Sequence, residues 1–493
     1  MSRVVVIGAG VGGLAVAARL AAAGHDVVVH ERSETVGGKL GRYERDGFVF
    51  DTGPSLLTLP HVFADLSLDL APVALDPVVR HVFADGTVLD SASDPEVFRE
   101  RIAVALGAQA AADWDRFWRR ARRIWRASWR SVLPRPVSAA SLAALSWRVT
   151  DLAAVAPGES LRALGRRYLR DPRLRMLVER YATYAGADPR RAPAALAAIP
   201  YAELTFGGWY LPGGLHTLAD ALLARCRALG VTVVPSSPVT AIRVERGRVS
   251  GVDLAGGAAA PADAVVANAD ALNLYRDLLP CPRRLAGLAD RSLAGFALLL
   301  GVRGQTPQLA HHTVFFPGYY DAEFDAVFGD PGAGRPARPA SDPAVFVTRA
   351  TDPTVHPAGD EAWFVLVNAP RDGTGWGAVD WWRPGLAAAY ADHVLAVLAR
   401  RGLDVRDRLR FAEVRTPADL AAATGAPGGA IYGTAARLLR PSNRGPVPGL
   451  YLVGGSAHPG GGLPMVTLSA RIVADLIGPA GPGSPPVADP LSV

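Results

Sequence analysis

Two glycine clusters near opposite ends of the chain carry the residues whose types and spacing can do chemistry. The first is Gly8-Ala9-Gly10-Val11-Gly12-Gly13, with an acid, Glu31, further on. The second lies in "VGGSAHPGGGLPMVTLSARI" (453–472), where a loop with little room for side chains runs into an apolar, helix-like stretch. Bare backbone can approach a ligand closely, and a helix N-terminus presents unpaired N–H groups to an anion. The chemistry implied is the holding of a phosphate-bearing ligand at both places.

The elements that position these residues are legible around them. "VVVI" (4–7) reads as a buried parallel strand, 14–23 as a helix stopped by Gly24, and "DVVVHE" (26–31) as a second strand. Strand, G-x-G-x-x-G, helix, strand and acid together form a dinucleotide fingerprint. Gly8 permits the tight turn, Gly10 the approach of a pyrophosphate and Gly13 close helix–strand packing. Glu31 is placed to accept hydrogen bonds from an adenosine ribose, and its charge disfavours a 2′-phosphate. Gly37-Gly38-Lys39 and "FDTGPSLL" follow, and Lys39 is the only lysine in the chain. "GLYLVGGS" (449–456) reads as another buried strand, with a helix from Met465 onward.

The sequence resembles the carotenoid and retinoid oxidoreductase family, of bacterial phytoene desaturase type, within the FAD-dependent amine-oxidase-like superfamily. The resemblance rests on "IGAGVGGLA", "VGGK", "FDTGPSLL", "NADALNLYRDLL", "LAHHTVFF", "TDPTVHPAG", "RPSNR" and "GLYLVGGSAHPGGGLP". It implies FAD, with Glu31 and Arg32 at the adenosine end, Gly38 and Lys39 close to the cofactor, and Val239 meeting adenine through its backbone. Gly12, Gly454, Gly455, Gly462 and Pro464 would then line the cofactor's path. N–H groups of Met465 and Val466 would face the flavin N1–C2=O edge, where reduction places negative charge. Many members carry G-I-P-G-V where this chain has Gly462-Leu463-Pro464-Met465-Val466. Methionine there is the form of relatives acting on hydroxylated acyclic carotenoids.

The fold class expected is α/β: a discontinuous Rossmann-type FAD domain (1–60, 205–285, 425–477) and an α+β substrate domain (61–204, 286–424) with a helical, membrane-facing part. Residues 478–493, rich in Pro and Gly, read as a disordered tail. In the stretch 113–132, Trp114, Trp118, Trp125 and Trp129 share one helical face, with arginines around the rest. That pattern reads as an interfacial helix binding the inner face of the membrane, or as a stripe packed inside the protein.

Composition narrows the function further. Hydrophobic content of 49% and charged content of 20% fit a globular chain. Two cysteines exclude a disulfide framework and point to the cytoplasm. No apolar run reaches the roughly 18–20 residues that span a bilayer, and the N-terminal run leads into a motif rather than a signal-peptide cleavage site. The His311–His312 pair lacks metal-site spacing, so no metal is expected. The net charge of +6 is almost wholly arginine and does not argue for nucleic acid.

The activity implied is desaturation of an acyclic carotenoid by hydride transfer to FAD. The alternatives are a saturase or isomerase of the same family, or an FAD-free prenyl-binding carrier. A single dinucleotide fingerprint favours oxygen or a quinone over NAD(P) as electron acceptor, because "GDPGAG" (329–334) has proline in its turn. No catalytic residue is assigned, and Asp171 reads as a helix N-cap.

Overall fold

The first strand, β1 (Arg3–Ile7), forms the centre of a five-stranded parallel sheet. On one side lie β2 (Asp26–His30) and Thr232–Val234; on the other lie Ala264–Ala267 and Leu450–Leu452. Side chains alternate across a strand, and both faces of this sheet are covered, so β1 is apolar throughout its last four residues. Val4 and Val6 pack toward α1 (Val11–Ala22) and the helices Thr217–Ala228 and Leu463–Ile477. Val5 and Ile7 pack with Ile242, Val249 and Val252 of a three-stranded antiparallel sheet on the opposite face. That sheet begins with a hairpin, Val239–Glu245 and Arg248–Leu254, turned at Arg246-Gly247 with both φ angles positive. Such a turn matches the right-handed twist of the strands. The structure, a computed structural model, describes residues 2–137, 149–155, 157–435 and 440–480.

A seven-stranded mixed sheet builds the second body. Its order is Leu409–Arg415, Ala294–Arg303, Asp360–Ala369, Val345–Arg349, His312–Phe315, Arg80–Val82 and Val88–Asp90. The last two strands come from 61–204, the first part of the expected substrate domain. At three residues each, they are too short to show a period and are fixed by pairing with His312–Phe315. Helices Ala108–Ser131, Pro172–Arg180 and Ala198–Phe206 share one hydrophobic core with residues of both sheets.

The tryptophan stripe faces inward, the second of the two readings. Trp114 is 2% exposed and Trp125 8%, while Trp118 and Trp129 are half-buried. Trp118 lies 4.8 Å from the Tyr201 ring, Trp125 5.7 Å from Phe206 and Trp114 5.2 Å from Phe98. Aromatic neighbours on Ala198–Phe206 satisfy the stripe inside the protein, leaving Arg116, Arg119, Arg122, Arg123, Arg126 and Arg130 exposed. Among the described residues no helix is long and apolar enough to cross a membrane.

Two smaller expectations resolve locally. Asp171 is an N-cap, its carboxylate accepting from the Arg173 N–H. Of the expected tail, 478–480 are ordered: the Ala480 N–H donates to the Ala23 carbonyl at 3.0 Å. Residues 481–493 lie outside the described residues.

Candidate cofactor and substrate site

The N-terminal loop is shaped by backbone contacts that a side chain would break. A β-carbon on Gly13 would stand 2.0 Å from the Gly8 carbonyl oxygen, so only glycine lets α1 sit against the end of β1. Gly10 caps α1 without a side chain, leaving the first-turn N–H groups open. Glu31 is buried and rigid: one carboxylate oxygen accepts from the Ala9 N–H at 2.6 Å, the other from the Ser33 N–H at 2.9 Å. Segment 236–239 is tied to the same turn, with Ser237 N–H donating to the Glu31 carbonyl at 2.7 Å. Val239 thereby lines the cavity near Glu31. Arg32 is exposed and donates to the Ala422 carbonyl at 2.8 Å, although it still borders the cavity.

Gly37 and Gly38 fold under the first loop, Gly37 N–H donating to the Ala9 carbonyl at 2.9 Å. Lys39 then turns toward the opposite end of the chain. Its ammonium donates to the carbonyls of Ala430 (2.9 Å) and Ile431 (2.6 Å). Burial pushes its pKa down to about 8, with Arg291 and Arg440 adding to the fall and Asp270 opposing it. Arg440 braces the same loop through the Tyr432 and Thr434 carbonyls.

The C-terminal cluster meets the N-terminal one at Asn268, which follows strand Ala264–Ala267. The Asn268 amide donates to the Gly8 carbonyl at 3.4 Å, and a β-carbon on Gly454 would lie 2.5 Å from its side-chain oxygen. Gly454, Gly455 and Gly462 line the cavity with Pro464, Met465 and Val466. The helix starts at Leu463, two residues before the sequence reading put it. The Val466 N–H is consequently spent on the Gly462 carbonyl at 3.0 Å. Pro464 has no N–H, so the donors without an intrahelical acceptor are those of Leu463 and Met465. This replaces the expected Met465–Val466 pair.

One continuous cavity of about 1920 Å³ connects these parts. It runs from Gly10, Glu31 and Val239, past 454–462, to apolar walls that include Val132, Val137, Ile199, Leu293 and Phe364. Single small-molecule sites occupy about 300–1,000 Å³, so this space suits a dinucleotide and a long apolar ligand together. The donor set fits FAD: open helix N-termini and a cation for phosphates, a fixed carboxylate for a ribose, and glycine cradles for the backbone approach. Among the described residues no cluster of three or more His, Cys, Asp and Glu side chains could hold a metal.

Three residues escaped the sequence reading. Asn268 and Arg440 sit inside quoted motifs, but only the folded contacts give them a place at the cofactor. Glu203 lines the cavity and is 1% exposed. As the lone charge within "AALAAIPYAELTF" (194–206), it carried a signal that could have been read.

Comparison with known proteins converges on one group. The model for "Flavin containing amine oxidoreductase" matches residues 11–293. The chain is 34% identical to a 4,4'-diapolycopene oxygenase of Methylomonas sp., covering 96% of this chain and 98% of that protein. It is 30% identical to a 1-hydroxycarotenoid 3,4-desaturase of Flavobacterium sp. (97% and 99% covered). It is 34% identical to a hydroxyneurosporene desaturase of Cereibacter sphaeroides (96% and 97%). Among solved structures, an oxidoreductase from Methanosarcina mazei shares the fold with a TM-score of 0.64 at 17% identity, covering 96% of this chain and all of that one. Putrescine oxidase bound to putrescine shares it with a TM-score of 0.59 at 16% identity (97% and 99%).

Proposed function

The chain belongs to the flavin-containing amine oxidoreductase family as an FAD-dependent oxidoreductase, and on that premise we propose that it introduces double bonds into an acyclic carotenoid. The observation that carries this reading is the continuity of the cavity from the dinucleotide loop to apolar walls. FAD supplies the hydride acceptor when bound. The chain's own residues do the rest. Glu31 and the Val239 backbone hold the adenosine end, and the loops around Gly10, Gly12 and Gly454 admit the diphosphate. The Leu463 and Met465 N–H groups favour negative charge at the flavin end. The apolar walls align the polyene and keep water from it.

The electron acceptor we infer is oxygen or a quinone. The stretch 329–334 follows the helix Asp321–Phe328 rather than a strand, and its short turn Pro331–Ala333 is not a second dinucleotide site. We also infer contact with the inner membrane surface through the exposed arginines of Ala108–Ser131, because the substrate is insoluble in water and the end of this helix borders the cavity at Ser128 and Ser131.

The deciding experiment incubates the holoenzyme with phytoene, neurosporene and hydroxyneurosporene in liposomes and analyses the products. A longer chromophore with loss of two hydrogens supports desaturation; a shorter one points to a saturase, and an unchanged mass to an isomerase. The 34% identity to an oxygenase favours one further reading, terminal oxidation, which would instead add oxygen to the product. The FAD-free carrier draws no support from a chain of this family with both glycine cradles intact.

A further inference from the structure

Glu203 is the one charged side chain of the helix Ala198–Phe206, whose Ala198, Ile199 and Ala202 line the cavity beside it. A carboxylate buried in such surroundings is costly unless both oxygens are satisfied. One oxygen accepts from the Tyr181 hydroxyl at 2.7 Å; the other has no partner within 3.5 Å among the described residues, and the Tyr184 hydroxyl acts on the same carboxylate from farther off. The Arg180 guanidinium, 0% exposed, lies 3.7 Å away and is itself held over the rings of Tyr181, Tyr184 and Phe346 at 4.9, 5.1 and 5.3 Å. Burial pushes the Glu203 pKa up, against the pull of Arg180. Tyr184, which feels the same carboxylate, also lines the cavity.

This polar spot lies near Tyr432, beside the C-terminal glycine loop. A β-carbon on Gly186, two residues past Tyr184, would lie 3.1 Å from the Tyr432 ring, and one on Gly461 would lie 2.6 Å from the same ring. Tyr432 therefore spans the gap between the spot and the C-terminal glycine loop. A hydroxyl bound here would lie near the C-terminal glycine loop. The Flavobacterium relative's name puts its hydroxyl at carbon 1 and its reacting bond at carbons 3 and 4.

We infer that Glu203 and Tyr184 form a subsite for the terminal hydroxyl of a hydroxylated acyclic carotenoid, anchoring the chain by its end so that a bond near that end meets the flavin. This rests on the desaturase reading for the identity of the polyene. A site built to hydrogen-bond a hydroxyl rejects ligands lacking it, because its own polar groups are then left unpaired.

The test measures binding to the FAD-loaded enzyme in detergent micelles by quenching of flavin fluorescence. The probes are hydroxyneurosporene, its O-methyl ether and neurosporene. The hydroxylated probe is expected to bind at least about tenfold more tightly than either of the others. Glu203→Gln should bring the three affinities together while flavin content holds, with a lower melting temperature because the buried Arg180 loses its carboxylate. Equal affinities on the unmodified enzyme would overturn the subsite, and this arm stands even where the variant fails to fold. Product analysis of the same samples separates the two readings. Selective binding without a longer chromophore defeats desaturation and upholds the subsite, whereas desaturation with equal affinities does the reverse.

Discussion

Gly12 and Gly454 lie so close that a β-carbon on Gly12 would stand 3.2 Å from the Gly454 Cα and 2.8 Å from the Asn268 side-chain oxygen. The two ends of the chain thus meet in one cradle, and neither has room for a side chain.

Replacing Gly454 by valine should therefore cost FAD affinity with little effect on the seven-stranded sheet. Overpacking of about 1–3 kcal/mol weakens binding about ten- to hundredfold. FAD retained after desalting, read by absorbance, checks this. Gly287→Val, at a site where nothing lies within 4 Å, should retain full flavin.

Lys39 makes cofactor binding depend on pH. Its pKa in the folded protein is about 8 against an ordinary value of 10.5, lowered first by burial. The cation that favours a diphosphate is present below about pH 8 and lost above it. FAD binding raises this pKa, so affinity should fall as pH rises through 8, by up to about tenfold per unit. Stability of the FAD-free protein should move the opposite way: a folded-state pKa below the unfolded one makes this group's contribution rise from pH 8 toward 10.5. Titration of FAD from pH 7 to 9 on wild type and Lys39→Gln, the latter weaker and flat, checks the first sign, and denaturant unfolding of the two FAD-free proteins from pH 7 to 10 checks the second.

Trp125→Ser should destabilise the fold rather than free it from a membrane. Emptying a site that is 8% exposed costs about 3–5 kcal/mol. Trp118, half-buried against Tyr201, should cost less. Denaturant midpoints rank the two, and unchanged midpoints would contradict the inward stripe.

Membrane contact is expected to reside in the arginines instead. Changing Arg119, Arg122 and Arg126 to glutamine removes about 1 kcal/mol each near an anionic surface, or about a hundredfold in vesicle binding. Flotation with anionic vesicles should show the loss, added salt should mimic it, and neutral vesicles should bind neither protein. Equal flotation of variant and wild type would sink this reading.

The sequence by itself determined a dinucleotide fingerprint, and its resemblance to a flavoprotein family determined FAD. Gly13, packed on the Gly8 carbonyl, and Glu31, held by the Ala9 and Ser33 N–H groups, are constrained within one strand–turn–helix–strand unit, so their spacing alone carries that geometry, whereas the atom nearest a β-carbon on Gly10 belongs to the distant Asn268. The second cluster was legible for the same reason, as a buried strand, a loop without side chains and a helix in one run. Only the tertiary structure decided which way the tryptophan stripe faces, because an apolar helix face has the same periodicity against lipid as against Tyr201 and Phe206. It also decided which N–H groups remain open at Leu463 and Met465, since a two-residue shift of the helix start reassigns them. Asn268, Arg440 and the Arg180–Glu203 pair acquire their roles from partners distant in the chain or from the walls around them. No local pattern encodes such contacts; they exist once the sheets close over the cavity.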